Sequence, residues 1–169
     1  MLFPSHDHWD LLKVNLINDS GDNNIITSDG SGVITSSKFK IGQVISTTDT
    51  TQRQTTSTSF VSGTINVSIT PTSTSSKILL HYSTAMDGVD GQNTGVVTIY
   101  RDDTNLATSN GMSQSFPRIS GVGINHLDSP NTTSQVTYTV YFKLLSGSGT
   151  VDINYNGTQG NLTAMEVLP

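Results

Sequence analysis

Val136-Thr137-Tyr138-Thr139-Val140-Tyr141-Phe142-Lys143-Leu144 sets large apolar residues at every even position and mostly polar ones between them. Successive side chains of a β-strand point to opposite faces, so a period of two marks a strand with one dry side and one wet side. Ile65, Val67 and Ile69 repeat the pattern against Asn66 and Ser68. Working outward, similar short runs separated by turn clusters give candidate strands at Ile41 to Thr48, Thr58 to Thr70, Lys77 to Thr84, Thr94 to Asp102, Asn105 to Ser109, Arg118 to His126, Gln135 to Leu145, Thr150 to Asn156 and Leu162 to Leu168. Spacing of this kind belongs to all-β sandwiches and barrels. No segment after residue 40 carries a 3.6-residue period.

Composition agrees. Of 169 residues, 23 are Ser, 25 Thr, 13 Asn and 15 Gly, while the charged residues amount to 12%. Helix formers are scarce, and Thr, Val and Ile favour the pleated surface of a sheet. The net charge of -5, with only 8 scattered Lys and Arg, argues against binding a nucleic-acid backbone. No run approaches the length of a membrane helix, and the start MLFPSHDHWD lacks the apolar core of a secretory signal, so a soluble, uncleaved chain without membrane insertion is expected. The absence of cysteine removes disulfides and thiolate chemistry together.

Turn chemistry punctuates the strands. Asp102 to Asn105 separates two candidate strands, as does Ser146 to Gly149, and Asn156-Gly157 is a strong hairpin dipeptide because both residues tolerate positive φ. On that basis the last three strands are expected to form a meander. Residues 1–40 have another texture: an apolar patch of Trp9, Leu11, Leu12, Val14, Leu16 and Ile17, followed by the turn-rich runs Asn18 to Asn24 and Ser28 to Gly32. This reads as an extended N-terminal arm. An arm cannot bury Trp9 and its leucines alone, so it folds back on the main domain or packs on a neighbouring chain, and the neighbour is the expected partner.

His6, Asp7, His8 and Asp10 could share a zinc or nickel ion, but they sit on a terminus without supporting partners in sequence, and no metal is assigned. His126 with Asp128, or His81 with Asp87 and Asp90, allows a Ser/His/Asp set only because serine is abundant, and no strained nucleophile turn accompanies them. Glu166 is the only glutamate, which leaves paired-carboxylate chemistry without a partner residue of its kind. Asp87 to Asn93 spaces oxygen donors with glycines like a calcium loop but lacks a terminal bidentate acid. Tyr82, Tyr100, Tyr138, Tyr141, Phe142 and Tyr155 could stack carbohydrate, although alternation sends Tyr138 and Phe142 inward. The reading is of a protein that is not an enzyme and has no cofactor; a carbohydrate-active or metal-dependent enzyme on the same sandwich is the distant alternative.

The runs Ser46 to Val61 (STTDTTQRQTTSTSFV), Ile65 to Leu80 (INVSITPTSTSSKILL), His126 to Ser134 (HLDSPNTTS) and Leu162 to Leu168 (LTAMEVL) resemble a β-sandwich module of tailed-bacteriophage tail fibre and virion surface proteins, of the cyanophage and marine-phage kind. Asn24 to Gly32 resembles the linkers that precede such modules. The resemblance implies a jelly-roll-like antiparallel sandwich of about 8–9 strands over residues 41–169. It also implies a homotrimer on the outside of the virion, tail or capsid, with residues 1–40 as the attachment to other virion proteins. Two settings follow: a short tail fibre or fibre head whose loops, with Asp87, Asp90, Asn93, Asn110 and Gln114, face a host surface glycan, or a capsid decoration protein.

Overall fold

The computed structural model describes residues 16–18, 21, 24–28, 34–35, 40–89 and 92–169. The chain divides into two units, Met1–Lys40 and Ile41–Pro169. In the first, β1 (Leu16–Asn18), β2 (Asn24–Ser28) and β3 (Ile34–Thr35) pair antiparallel in the order β1-β2-β3. These three strands lie within the residues read from sequence as an arm, and their described residues pair with one another.

The second unit is an all-β antiparallel sandwich. Its strands are β4 (Ile41–Asp49), β5 (Arg53–Thr55), β6 (Val61–Ile69), β7 (Lys77–Gly88), β8 (Thr94–Arg101), β9 (Thr104–Asn105), β10 (Ser113–Gln114), β11 (Ser120–Asp128), β12 (Val136–Ser146), β13 (Val151–Ile153) and β14 (Gly160–Val167). Several are fragments of one longer strand. β14 and β13 pair in succession along one side of β7, and β4 and β5 follow in succession along β14 and β13. β9 and β10 likewise share the free side of β8. Merging them leaves eight strands in two sheets, β4/β5-β13/β14-β7-β11 and β6-β12-β8-β9/β10. In chain order these sheets read 1-8-3-6 and 2-7-4-5, the interleaved double Greek key of a jelly roll.

That order overturns the expected meander. β12 lies in the second sheet between β6 and β8, while β13 and β14 lie in the first, so the last three strands never pair with one another. Asn156 and Gly157 do take positive φ, 53° and 73°, but they turn the chain within a 3-10 segment that joins β13 to β14 along the same side of β7. A dipeptide that permits left-handed backbone fixes a local turn; the partner of the following strand is chosen by the core.

The core fills the space between the sheets. Ile65, Val67 and Ile69 of β6 and Val136, Tyr138, Val140, Phe142 and Leu144 of β12 point inward, and meet Ile78, Leu80, Tyr82 and Met86 of β7 with Leu162 and Ala164 of β14. One charged tie crosses from sheet to sheet at the end of this core. Arg101 of β8 donates to both oxygens of Asp128 on β11, at 2.8 and 2.7 Å, and the Tyr138 hydroxyl of β12 donates to the same carboxylate at 2.7 Å. Burial and that donation to Asp128 push Tyr138 well above the ordinary tyrosine range. Removing the carboxylate leaves the Tyr138 hydroxyl without its acceptor and Arg101 with only the Ser129 carbonyl at 3.4 Å, which costs more than the bonds are worth in water. Asp128→Ala is therefore expected to lower unfolding free energy by about 2–4 kcal/mol in chemical denaturation; a loss below about 0.5 kcal/mol would remove the tie from the account.

Candidate functional site

Each sheet of the sandwich has an outer face, and the two faces differ. In the sheet β6-β12-β8-β9/β10 the odd residues of β12 and the even residues of β8 point outward, because their neighbours are spent on the core. Tyr141 lies opposite Thr98 and Tyr100 opposite Thr139, which makes the two tyrosines diagonal neighbours across the strand pair. Their rings stack with centroids 4.0 Å apart at an interplanar angle of 27°. Phe60, just ahead of β6, meets Tyr100 edge-on at 6.2 Å. Lys143, two residues past Tyr141 and on the same face, holds its ammonium 4.7 Å from the centre of the Phe60 ring. Phe60, Tyr100, Tyr141 and Lys143 are each half-buried.

The loop between β9 and β10 borders this cluster. Gly111, at φ 69°, packs against Val96 and the backbone of Val97, and a side-chain carbon there would stand 2.6 Å from Val96 Cγ2 and 3.4 Å from Phe60 Cζ. Asn110 and Gln114 on either side of it are exposed. Two of the expected host-facing residues therefore lie on the sheet edge that carries the aromatic cluster. The parity of Tyr138, Tyr141 and Phe142 was readable in sequence; the arrival of Phe60 and Lys143 beside them depends on strand pairing and was not.

The other expected loop residues lie elsewhere. Asp87, one residue before the end of β7, lies opposite Asp152 of β13 and is half-buried, and Asp90 falls outside the described residues. Asn93, expected on a host-facing loop, is only 3% exposed. Its side-chain amide donates to the Val89 carbonyl and its oxygen accepts the Gly149 N–H at 3.0 Å, so it clamps the turn after β12 to the end of β7. Gly147 and Gly149 let the turn come this close, since a side-chain carbon would stand 2.1 and 2.4 Å from Asn93 atoms. Of the attachment residues, Leu16 and Ile17 begin β1, where they pair with Thr27 and Ile26; Trp9, Leu11, Leu12 and Val14, with His6 and His8, lie outside the described residues.

The outer face of the sheet β4/β5-β13/β14-β7-β11 carries an apolar row. Val44, Met165, Leu79 and Leu127 are direct cross-strand partners in turn, one from each strand, and Val44 and Leu127 are 57% and 49% exposed. Ile41 extends the row at the start of β4 with 51% exposure. Residues around it are polar: Ser46, Thr163, His81 and Asn125 form the next row in the same register.

The carboxylates weighed as catalytic groups are engaged inside the fold. Glu166 faces inward from β14 with no solvent exposure. It accepts from the Thr72 N–H at 2.6 Å, the Thr72 hydroxyl at 2.7 Å and the Gln43 amide at 3.0 Å, which pins the loop after β6 to the edge strand. Burial opposes its ionisation, but the hydrogen bonds outweigh burial and hold the carboxyl below its ordinary value. Asp128 is the inter-sheet tie described above. Among the described residues no three His, Asp or Glu side chains are placed to hold a metal ion, and no helix is long and apolar enough to cross a membrane.

No family model matches the chain, and no curated protein matches it. Among solved structures it is similar to a chain in the structure of infectious bursal disease virus Gx strain, with 13% identity and a TM-score of 0.38 over 82% of this chain. The match spans 41% of that viral chain, less than half of its length.

Two outcomes follow from the side chains that hold the sandwich together. A folded-state carboxyl value below the unfolded one stabilises above the unfolded value and loses its contribution as pH falls through the folded value. Glu166→Gln is thus expected to cost about 1–3 kcal/mol near neutral pH, with the gap to the parent closing in denaturant titrations as the solution is acidified. A gap unchanged in strong acid contradicts this. Asn93→Ala should cost about 1–3 kcal/mol and speed amide exchange around Gly149, and unchanged exchange there would show that the clamp does not order the turn.

Proposed function

We propose that the chain is a structural protein of a tailed-bacteriophage virion, a homotrimeric short tail fibre or fibre-head module that projects from the particle and is held to other virion proteins through residues 1–40. The observation that carries this reading is the jelly roll itself, with its buried carboxylates Glu166 and Asp128 committed to strand ties and an exterior rich in Ser, Thr and Asn that carries an apolar row. Such a body suits display in several copies. The sequence resemblance at Ser46 to Val61, Ile65 to Leu80 and His126 to Ser134 supplies the phage setting.

The apolar row supports the trimer. Val44 and Leu127 leave about half of their surface in water, at opposite edges of one sheet, and burying such a face against further copies returns the free energy that exposure forfeits. Light scattering on the intact chain should give three times the monomer mass, and Leu127→Glu should shift the population to monomer while the melting curve stays cooperative. A monomer at micromolar concentration overturns the trimer. Imaging of virions labelled on this chain tests the placement: label at the tail tip supports the fibre, label over the head replaces it with capsid decoration, and particles without label refute a virion role.

A further inference from the structure

We propose that Tyr100, Tyr141, Phe60 and Lys143 form a binding platform for a carboxylate-bearing saccharide. The geometry supplies both halves of such a ligand. A pyranose ring has an apolar face of polarised C–H bonds, which lies well on the electron-rich face of an aromatic ring. Tyr100 and Tyr141 stack on one another on an outward face and Phe60 meets Tyr100 edge-on, so the parts of the three half-buried rings left uncovered form one apolar surface. Lys143 adds the charge. Its ammonium is held over Phe60 instead of ranging through solvent, which reduces the entropy lost when an anion meets it.

Charge selects the acidic saccharide over a neutral one. The chain carries a net charge of -5, so an acidic glycan is repelled by most of the surface and is favoured where an ammonium sits beside half-buried aromatic rings on an outward face. Asn110 and Gln114, exposed on the bordering loop and strand, offer amide donors and acceptors to sugar hydroxyls. A cross-strand tyrosine pair that merely stiffened the sheet would need neither the cation nor this rim. The platform deepens the fibre reading and rests on it for its biological setting, yet saccharide binding by the purified chain and labelling of the particle fail independently of each other.

Saturation-transfer NMR on the full chain decides the matter, with oligogalacturonate, a hyaluronan oligosaccharide and sialyllactose as acidic probes and methyl-esterified oligogalacturonate as the neutral control. The expected result is transfer to ring protons of at least one acidic probe, with affinity about tenfold weaker in Tyr141→Ala and in Lys143→Gln, preserved in Tyr141→Phe, and reduced on esterification for a galacturonate ligand. Should Tyr141→Ala no longer melt cooperatively, Lys143→Gln alone decides, because its side chain lies on the surface of an unaltered stack. No transfer from any of the three acidic probes overturns the proposal, as does transfer that Lys143→Gln leaves unchanged.

Discussion

The structure depends on keeping two faces of each strand apart over long stretches of antiparallel pairing. β12 is the clearest case: five alternate residues from Val136 to Leu144 enter the core, and it is hydrogen-bonded on both sides, to β6 and β8. A slip of one residue against either neighbour would send Tyr138, Val140 and Phe142 into water and Thr139, Tyr141 and Lys143 into the core. Each central strand is constrained in this way by two partners. β7 is held along its length by β11 on one side and by β14 and β13 on the other. Register errors are therefore costly everywhere at once, and a Ser/Thr-rich chain of modest apolar content can still specify one arrangement.

Polar groups inside the sandwich reinforce the same constraint at its ends. The apolar core does not distinguish the terminal rungs strongly, because there the strands give way to loops. Asp128 meets Arg101 and Tyr138 at one such end, and Glu166 gathers Thr72 and Gln43 at the outer strand. Within the first sheet, Asn154 receives the Thr84 hydroxyl at 2.7 Å and donates to the Thr51 carbonyl at 3.1 Å, tying the break between β13 and β14 to both neighbouring strands. Each tie joins segments far apart in sequence, and each leaves a buried donor or acceptor stranded if the pairing shifts.

Alternation told the faces but not the neighbours. β6 and β12 were legible because Ile65, Val67 and Ile69, and Val136 to Leu144, follow a strict period of two. β5 and β10 were not, since Arg53–Thr55 and Ser113–Gln114 are short, polar edge pieces with no apolar residue to mark a dry side. The candidate strand at Asn105 to Ser109 ends at Asn105, whose side chain accepts from Ala107 N–H at 3.0 Å and turns the chain out of the ladder. β7 runs on to Gly88 despite Asp87 and Gly88, residues poor in strands, because β11 and β13 pair with that end. The burial of Asn93 was equally hidden: an asparagine among glycines reads as an exposed turn, and only the distant Gly147 to Gly149 turn reveals what it holds.

The two outer faces are free to differ because the core constrains only the inward set of each strand. Val44, Met165, Leu79 and Leu127 line up across one sheet by register, just as Tyr100, Tyr141 and Lys143 come together across the other. A face that meets another copy can be apolar, since water does not reach it once assembly is complete. A face that takes a soluble ligand must keep part of its surface in contact with water. In the proposed reading these demands fall on opposite sheets, so neither surface occludes the other. The same separation leaves the outward residues unconstrained by the core that Ile65, Leu80, Tyr138 and Phe142 build.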